Sequence, residues 1–90
     1  MRSTVLAAAL VLVPGLCLAD RKAGDACAAK LPAASREIYT TTLAKKPTPG
    51  QARAVVVAEV ERLIDAGKLS MAEGRAAGEA AGRCLELIMQ

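Results

Sequence analysis

The sequence predicts an all-α fold, a small three-helix bundle or a helical hairpin with an additional N-terminal helix, held together by one disulfide. Three observations support this. Apolar residues recur at helical spacing after residue 20, and no run alternates apolar and polar residues as a strand does. Capping and stop residues mark the ends of the predicted helices. Two cysteines lie near the two ends of the predicted domain, residues 20–90.

Residues 1–19 have the composition of a secretory signal peptide. Arg2 supplies a positive start, residues 5–13 are apolar, and Pro14-Gly15 breaks any helix. Small side chains at Cys17 and Ala19 favour cleavage after Ala19. We therefore expect an exported chain, periplasmic or secreted, with no stable membrane span after cleavage. The minor alternative is a lipoprotein anchored at Cys17, although Leu16 stands where a lipobox has a small residue.

Helices are predicted over about 32–44, 49–66 and 71–89. Pro32 opens the first, Thr48-Pro49-Gly50-Gln51 the second, and the capping box Ser70-Met71-Ala72-Glu73 the third. Gly67 suits the left-handed stop of the second helix. Asp25 is expected to cap a short turn that carries Cys27. The expected buried residues are Ile38, Tyr39 and Leu43; Val56, Val57, Val60, Leu63 and Ile64; and Ala77, Ala81, Cys84, Leu85 and Ile88.

Cys27 and Cys84 are the two cysteines that remain after cleavage, and in an oxidising compartment they predict one disulfide. The bridge would close a loop of about 57 residues, for which the chain-entropy model gives about 4 kcal/mol. This is comparable to the net stability of a core in a domain of this size. A redox switch or a catalytic thiol pair is the alternative, but the sequence has no C-x-x-C spacing and no histidine.

Glycine recurs every fourth residue at Gly74, Gly78 and Gly82 within the last predicted helix. Each glycine costs about 0.8–1.0 kcal/mol relative to alanine in a helix interior, so close approach of another helix is expected to compensate. The strip then faces either the other helices of the chain or a partner, a second protein or a homodimer. Charged residues Arg75, Glu79 and Arg83 exclude a membrane zipper.

The composition excludes several classes of function. The chain has no His, Trp or Phe, and Tyr39 is its one aromatic residue. Eleven basic and nine acidic residues follow residue 19, without a basic stripe or stacking platform, so no nucleic-acid binding is expected. We expect no enzyme, no catalytic residues and no cofactor. Tyr39 is expected to pack its ring in the core with its hydroxyl at the surface.

Carboxylates on the second helix raise an alternative, a cation-binding or buffering protein. Glu61 and Asp65 lie four residues apart, and Glu59 is close by. These oxygens suit a hard cation if a second chain adds ligands. No EF-hand loop is present, and Arg62 and Lys68 are close enough to neutralise the carboxylates, so we favour a solvated, salt-bridged face and assign no metal ligands.

Three short segments resemble a family of small exported bacterial α-helical proteins of uncharacterised function. They are Arg36-Glu37-Ile38-Tyr39, Ala66-Gly67-Lys68-Leu69-Ser70 and Ala80-Ala81-Gly82-Arg83-Cys84-Leu85, together with the early Cys27. The resemblance covers most of residues 26–88. It implies paired cysteines and export, and it implies no activity. The expected function is a periplasmic interaction module, an adaptor, small chaperone or inhibitor.

Overall fold

The computed structural model of the chain describes residues 20–89, which form four helical segments and no strand. They are α1 (20–29), α2 (Ala33–Ala44), α3 (Pro49–Asp65) and α4 (Met71–Glu86). The helices α2, α3 and α4 pack against one another in all three pairings. The all-α prediction is confirmed. The predicted signal sequence and Cys17 lie outside the described residues.

Helix α2 follows Pro32, whose carbonyl accepts the Arg36 amide at 3.0 Å. Its buried residues recur at helical spacing, and they are Ser35, Ile38, Tyr39 and Thr42. The hydroxyl of Thr42 is buried without a hydrogen-bond partner among residues 20–89. Lys46, just after the helix, has φ 50, a left-handed conformation that turns the chain toward α3.

The predicted ends of α3 are confirmed. The Thr48 amide donates to Gln51 Oε1 at 3.0 Å, which is one half of a capping box. At the other end Gly67 has φ 77, and the Lys68 and Gly67 amides donate to the Leu63 and Ile64 carbonyls at 2.9 Å. This bond pair is a Schellman motif, and it stops the helix where the sequence predicts.

Helix α4 begins with a complete capping box. The Glu73 amide donates to Ser70 Oγ at 3.1 Å, and the Ser70 amide donates to Glu73 Oε1 at 2.8 Å. The helix buries the predicted stripe of Ala77, Ala81, Cys84 and Leu85, with Ile88 packed at its edge. The short connection from Gly67 to Leu69 makes α3 and α4 neighbours.

One residue predicted to be buried on α3 is exposed. Val57 is 48% exposed, whereas Glu59 is 3% exposed. The prediction placed the buried arc on the apolar residues alone. Helix α3 contacts both α2 and α4. The contact with α2 extends the buried face of α3 to Glu59, whereas Val57 lies at the outer edge of the contact with α4.

The predicted disulfide joins α1 to α4. Cys27 and Cys84 are bonded, with their Cα atoms 5.5 Å apart. Cys84 is fully buried, and Ala28, beside Cys27, belongs to the same core as Ile38 and Leu85. The bridge therefore attaches the first helical segment to the last one.

Two predictions about this end of the chain are wrong. Asp25 does not cap a turn, because it lies inside α1. Its Oδ1 accepts a hydrogen bond from the Tyr39 hydroxyl at 2.7 Å and one from Arg21 Nε at 3.1 Å. The Tyr39 hydroxyl is thus engaged between α1 and α2 and does not point freely to solvent. The Tyr39 ring packs in the core as predicted.

Alanine substitution at Gly50, near the start of α3, and at Gly67, just after its end, should change the free energy of unfolding in opposite directions. Gly67→Ala places a side chain at φ 77 and should cost about 1–2 kcal/mol of unfolding free energy. Gly50→Ala is the matched control, because its Cβ would meet no atom within 4 Å and the helix gains up to about 1 kcal/mol. Urea unfolding followed by circular dichroism measures both, and equal effects at the two sites would contradict the assigned stop.

Candidate functional site

The three glycines of α4 do not share one environment. A Cβ on Gly74 would lie 2.8 Å from Ile64 Cδ1 and 2.9 Å from Val60 Cγ1, and one on Gly78 would lie 3.0 Å from Val60 Cγ2. These two glycines therefore let α3 approach closely. A Cβ on Gly82 would meet nothing within 4 Å. The strip packs internally along its first half and opens outward at Gly82.

Beyond this contact, α3 and α4 form an open groove of about 1130 Å³ on the outer face of the bundle. Pro49, Arg53, Val57, Glu61 and Ile64 line it from α3, and Met71, Arg75, Gly78, Gly82, Glu86 and Met89 line it from α4 and the turn after it. Val57 is 48% exposed and Met71 is 72% exposed. The groove thus has apolar walls, and its α4 side has little side-chain cover at Gly82.

Charged residues of both signs border the groove. Arg53 and Glu61 stand on α3, and Arg75 and Glu86 stand on α4. None of these four forms a salt bridge with another residue of the described range 20–89. Their charges are therefore available to groups from outside the described fold.

The other charged cluster of the bundle is fully paired. The Glu59 carboxylate is held at both oxygens, with Lys45 Nζ 2.7 Å from Oε2 and Arg62 Nε 3.0 Å from Oε1. Arg62 Nη2 also donates to Glu37 Oε2 at 3.2 Å. Glu37 and Lys45 belong to α2 and its end, whereas Glu59 and Arg62 lie on α3, so this cluster joins the two helices.

These contacts shift the ionisation of the cluster. The hydrogen bond from Lys45 lowers the pKa of Glu59 below its ordinary value, Arg62 adds to this effect, and burial opposes it. Glu59 and Glu37 raise the pKa of Arg62. Both oxygens of the Glu59 carboxylate are therefore already engaged by cations of the same chain.

The three carboxylates considered for cation binding, Glu59, Glu61 and Asp65, thus lie in different environments. Glu59 is buried among its cations, whereas Glu61 and Asp65 are exposed. Over residues 20–89, no group of three or more Cys, Asp or Glu side chains is placed to hold a metal ion.

Tyr39 and Asp25 form the other titratable pair. The hydrogen bond from Tyr39 lowers the pKa of Asp25, with Arg21 contributing and burial opposing. Burial and the Asp25 carboxylate raise the pKa of Tyr39. The tyrosine is therefore a protonated donor near neutral pH, and its hydrogen bond holds α1 against α2.

Sequence reasoning missed two features of these sites, Glu59 as a buried anion and Gly24 as a contact glycine. A Cβ on Gly24 would lie 2.6 Å from both the Tyr39 hydroxyl and Ile88 Cδ1. The signal for Glu59 was its spacing, because it lies three residues after the buried Val56 and four before the buried Leu63. Gly24 had no signal, because its neighbours come from distant parts of the chain.

Among residues 20–89, no helix is both long and apolar enough to cross a membrane. Comparison of the chain with protein-family models, with curated proteins and with solved structures finds no match. The groove is therefore interpreted from its own residues.

Glu59→Gln should make unfolding less dependent on acidic pH. The pKa of Glu59 is lower in the folded state than in the unfolded chain. The ionised Glu59 carboxylate therefore stabilises the fold at pH values above its unfolded-state pKa, and this stabilisation is lost as the pH falls through its folded-state pKa. At pH 7 the variant should lose about 2 kcal/mol, less than for a fully buried pair, because Lys45 and Arg62 are 52% and 50% exposed.

Urea unfolding between about pH 2 and pH 7 measures this effect. Glu61→Gln is the matched control, since Glu61 is exposed and forms no salt bridge within residues 20–89. If the free energy of unfolding falls equally steeply at acidic pH in the wild-type protein and in Glu59→Gln, the ion pairs of Glu59 do not stabilise the fold.

Gly82→Ala and Gly74→Ala should change stability in opposite directions in dilute solution. The Cβ at position 82 meets no atom, so the helix gains up to about 1 kcal/mol. The Cβ at position 74 meets Val60 and Ile64 below 3.0 Å, and overpacking of about 1–3 kcal/mol outweighs the gain in helix propensity. Thermal unfolding compares the two, and a gain at position 74 would contradict the close contact.

Proposed function

We propose that this chain is an exported, non-catalytic protein-interaction module, an adaptor, small chaperone or inhibitor that accepts a helix in the α3–α4 groove. The observation that carries the proposal is the groove itself, an open apolar surface with Val57 and Met71 exposed. The charges at its border have no salt-bridge partner within residues 20–89. We also propose that the chain belongs with the small exported bacterial helical proteins that its sequence resembles.

A helix is the occupant that fits the chemistry of this surface. Helix-in-groove recognition uses apolar side chains spaced three or four residues apart, which enter a groove between two helices. Gly82 leaves room for the backbone of such a helix to come close, because no neighbouring atom occupies the space of its missing Cβ. Charges of both signs at the border then favour an occupant that also carries both signs.

Export to the periplasm or beyond is supported by the disulfide. Buried disulfides persist in oxidising compartments, and the Cys27–Cys84 bridge joins two helices of a small core. The predicted signal sequence over 1–19 is consistent with this location, with the lipid anchor at Cys17 as its alternative. We propose that the mature protein, residues 20–90, is located in the periplasm or outside the cell.

The described side chains favour binding over catalysis and over cation storage. The Tyr39 hydroxyl is engaged by Asp25, and Ser35 is buried within the α2 contact. Glu59 is occupied by Lys45 and Arg62. These groups hold the helices together, and the groove residues within 20–89 include no serine, threonine, cysteine or tyrosine to act as a nucleophile.

Photo-crosslinking in the intact cell tests the proposed function. A photo-reactive residue at position 57 or 71 should give the same adduct, because Val57 and Met71 line one groove. Thr40, exposed on α2, is the control position and should not give that adduct. Gly82→Leu should remove the adduct at both groove positions, because the added side chain fills the open space beside α4.

Mass spectrometry of the adduct then identifies the occupant and the crosslinked segment. Groove-specific adducts to a helical segment support the proposed function. Adducts of equal yield at position 40, or none at positions 57 and 71, would refute it.

A further inference from the structure

We propose that the occupant of the groove is a second copy of this chain, with the two α4 helices antiparallel across a two-fold axis. This inference rests on the proposed function, since it names the occupant of the same groove. It is carried by the order of charges and exposed apolar residues along α4. The glycines only allow the approach.

One line of groove residues on α4 is self-complementary in an antiparallel pair. In chain order the line is Met71, Arg75, Gly78, Gly82, Glu86 and Met89, and all six border the groove. The first five are spaced three or four residues apart on α4, so they follow one side of the helix, and Met89 lies just after its end. Read from the other end, the order is the same except that the acidic and basic positions are exchanged.

A two-fold axis near Ala80 brings matching residues together. Met71 of one copy then faces Met89 of the second copy, and Gly82 faces Gly78 at the centre of the contact, where Val60 of α3 covers the Cβ side of Gly78. Arg75 faces Glu86 of the second copy, and symmetry repeats this pair, as in any isologous interface. The contact thus joins apolar groups to each other and places two ion pairs between the chains.

The flanking charges of α4 follow the same order. Glu79 and Arg83 also line the groove, one on each side of the proposed axis. In an antiparallel pair Glu79 lies near Arg83 of the second copy, so opposite charges meet here as well. The two Glu79 residues also approach each other near the axis, and the Arg83 beside each of them offsets this like-charge contact.

Arg75 and Glu86 cannot pair with each other within one chain. The two residues are eleven positions apart on α4, which is about 16 Å along a helix. Neither forms a salt bridge with any residue in 20–89. A partner helix of opposite direction supplies both counter-charges at once.

Beside the proposed axis, α4 is open to a helix backbone at Gly82. A Cβ on Gly82 would meet no atom within 4 Å, so another helix can approach this point closely. Val57 lies on the α3 side of the same groove and adds apolar surface there. Because α4 is only about 24 Å long, we expect a dissociation constant on the order of micromolar.

Sedimentation of the exported, disulfide-bonded protein over a range of concentrations tests this inference. Arg75→Glu or Glu86→Arg alone places two like-charge pairs across the contact and should weaken association about tenfold. The double variant Arg75→Glu/Glu86→Arg exchanges the charges and should restore the wild-type association. Such restoration requires that the two residues meet between chains.

Two further variants control for indirect effects. Arg36→Glu reverses an exposed charge on α2, away from the groove, and should leave association unchanged. Gly82→Leu should keep the helical circular dichroism signal of the single chain and abolish association.

A chain that stays monomeric at all concentrations up to millimolar, or a double variant as weak as the single ones, would overturn the inference. The crosslinking experiment separates this failure from failure of the proposed function. A groove-specific adduct to a different protein, with a monomeric chain in solution, retains the interaction module and rejects the second copy. An adduct of twice the mass of the chain supports both.

Discussion

The bond between Cys27 and Cys84 is the constraint on which this bundle depends. It joins α1 to α4 and so brings the first and last described helices into one core. The other contacts of α1 cluster around the same point, because Gly24, Asp25 and Ala28 meet Tyr39, Ile88 and the buried core. Without the bridge, the described part of α1, whose residues are mostly exposed, would be held chiefly by one hydrogen bond and a small apolar contact.

The core needs this support because its side chains are small. It contains no Phe or Trp, and Ala28, Ala77 and Ala81 make up a third of its nine buried apolar residues. Close helix packing compensates in part. At Gly24 and Gly74, a Cβ would lie below 3.0 Å from side chains of the neighbouring elements, so the helices approach as closely as a missing side chain allows.

Local signals predicted most of the fold. The capping box at Ser70, the left-handed Gly67 and the buried stripe of α4 all depend on residues within one or two turns of each other, and the structure confirms them. The disulfide also followed from the sequence, because the two cysteines after residue 19 have one way to pair. These predictions needed no knowledge of how the helices are arranged.

Tertiary contacts decided what the sequence could not predict. Glu59 is buried because Lys45, at the end of another helix, supplies one of its two cations. Asp25 accepts a hydrogen bond from the Tyr39 hydroxyl across the α1–α2 contact and does not act as a cap. The glycine strip divides because α3 covers Gly74 and leaves Gly82 open. Each of these outcomes depends on a neighbour that is distant in the chain.

Helix α3 therefore uses charge differently on its two sides. On the side toward α2, Glu59 and Arg62 form salt bridges with residues of the same chain, and these bridges hold α2 and α3 together. Toward the groove, Arg53 and Glu61 have no salt-bridge partner within residues 20–89. The same division separates the fold from the surface that remains for binding.

If the groove accepts a partner as proposed, this division places its specificity in the charges. Exposed Val57 and Met71 favour any apolar occupant, because burial of apolar surface is not directional. An occupant that covered Arg75 and Glu86 without counter-charges would leave both desolvated and unpaired, which opposes binding. In the proposed complex, apolar contact would supply affinity, while the order of charges along α4 would select the partner and its direction.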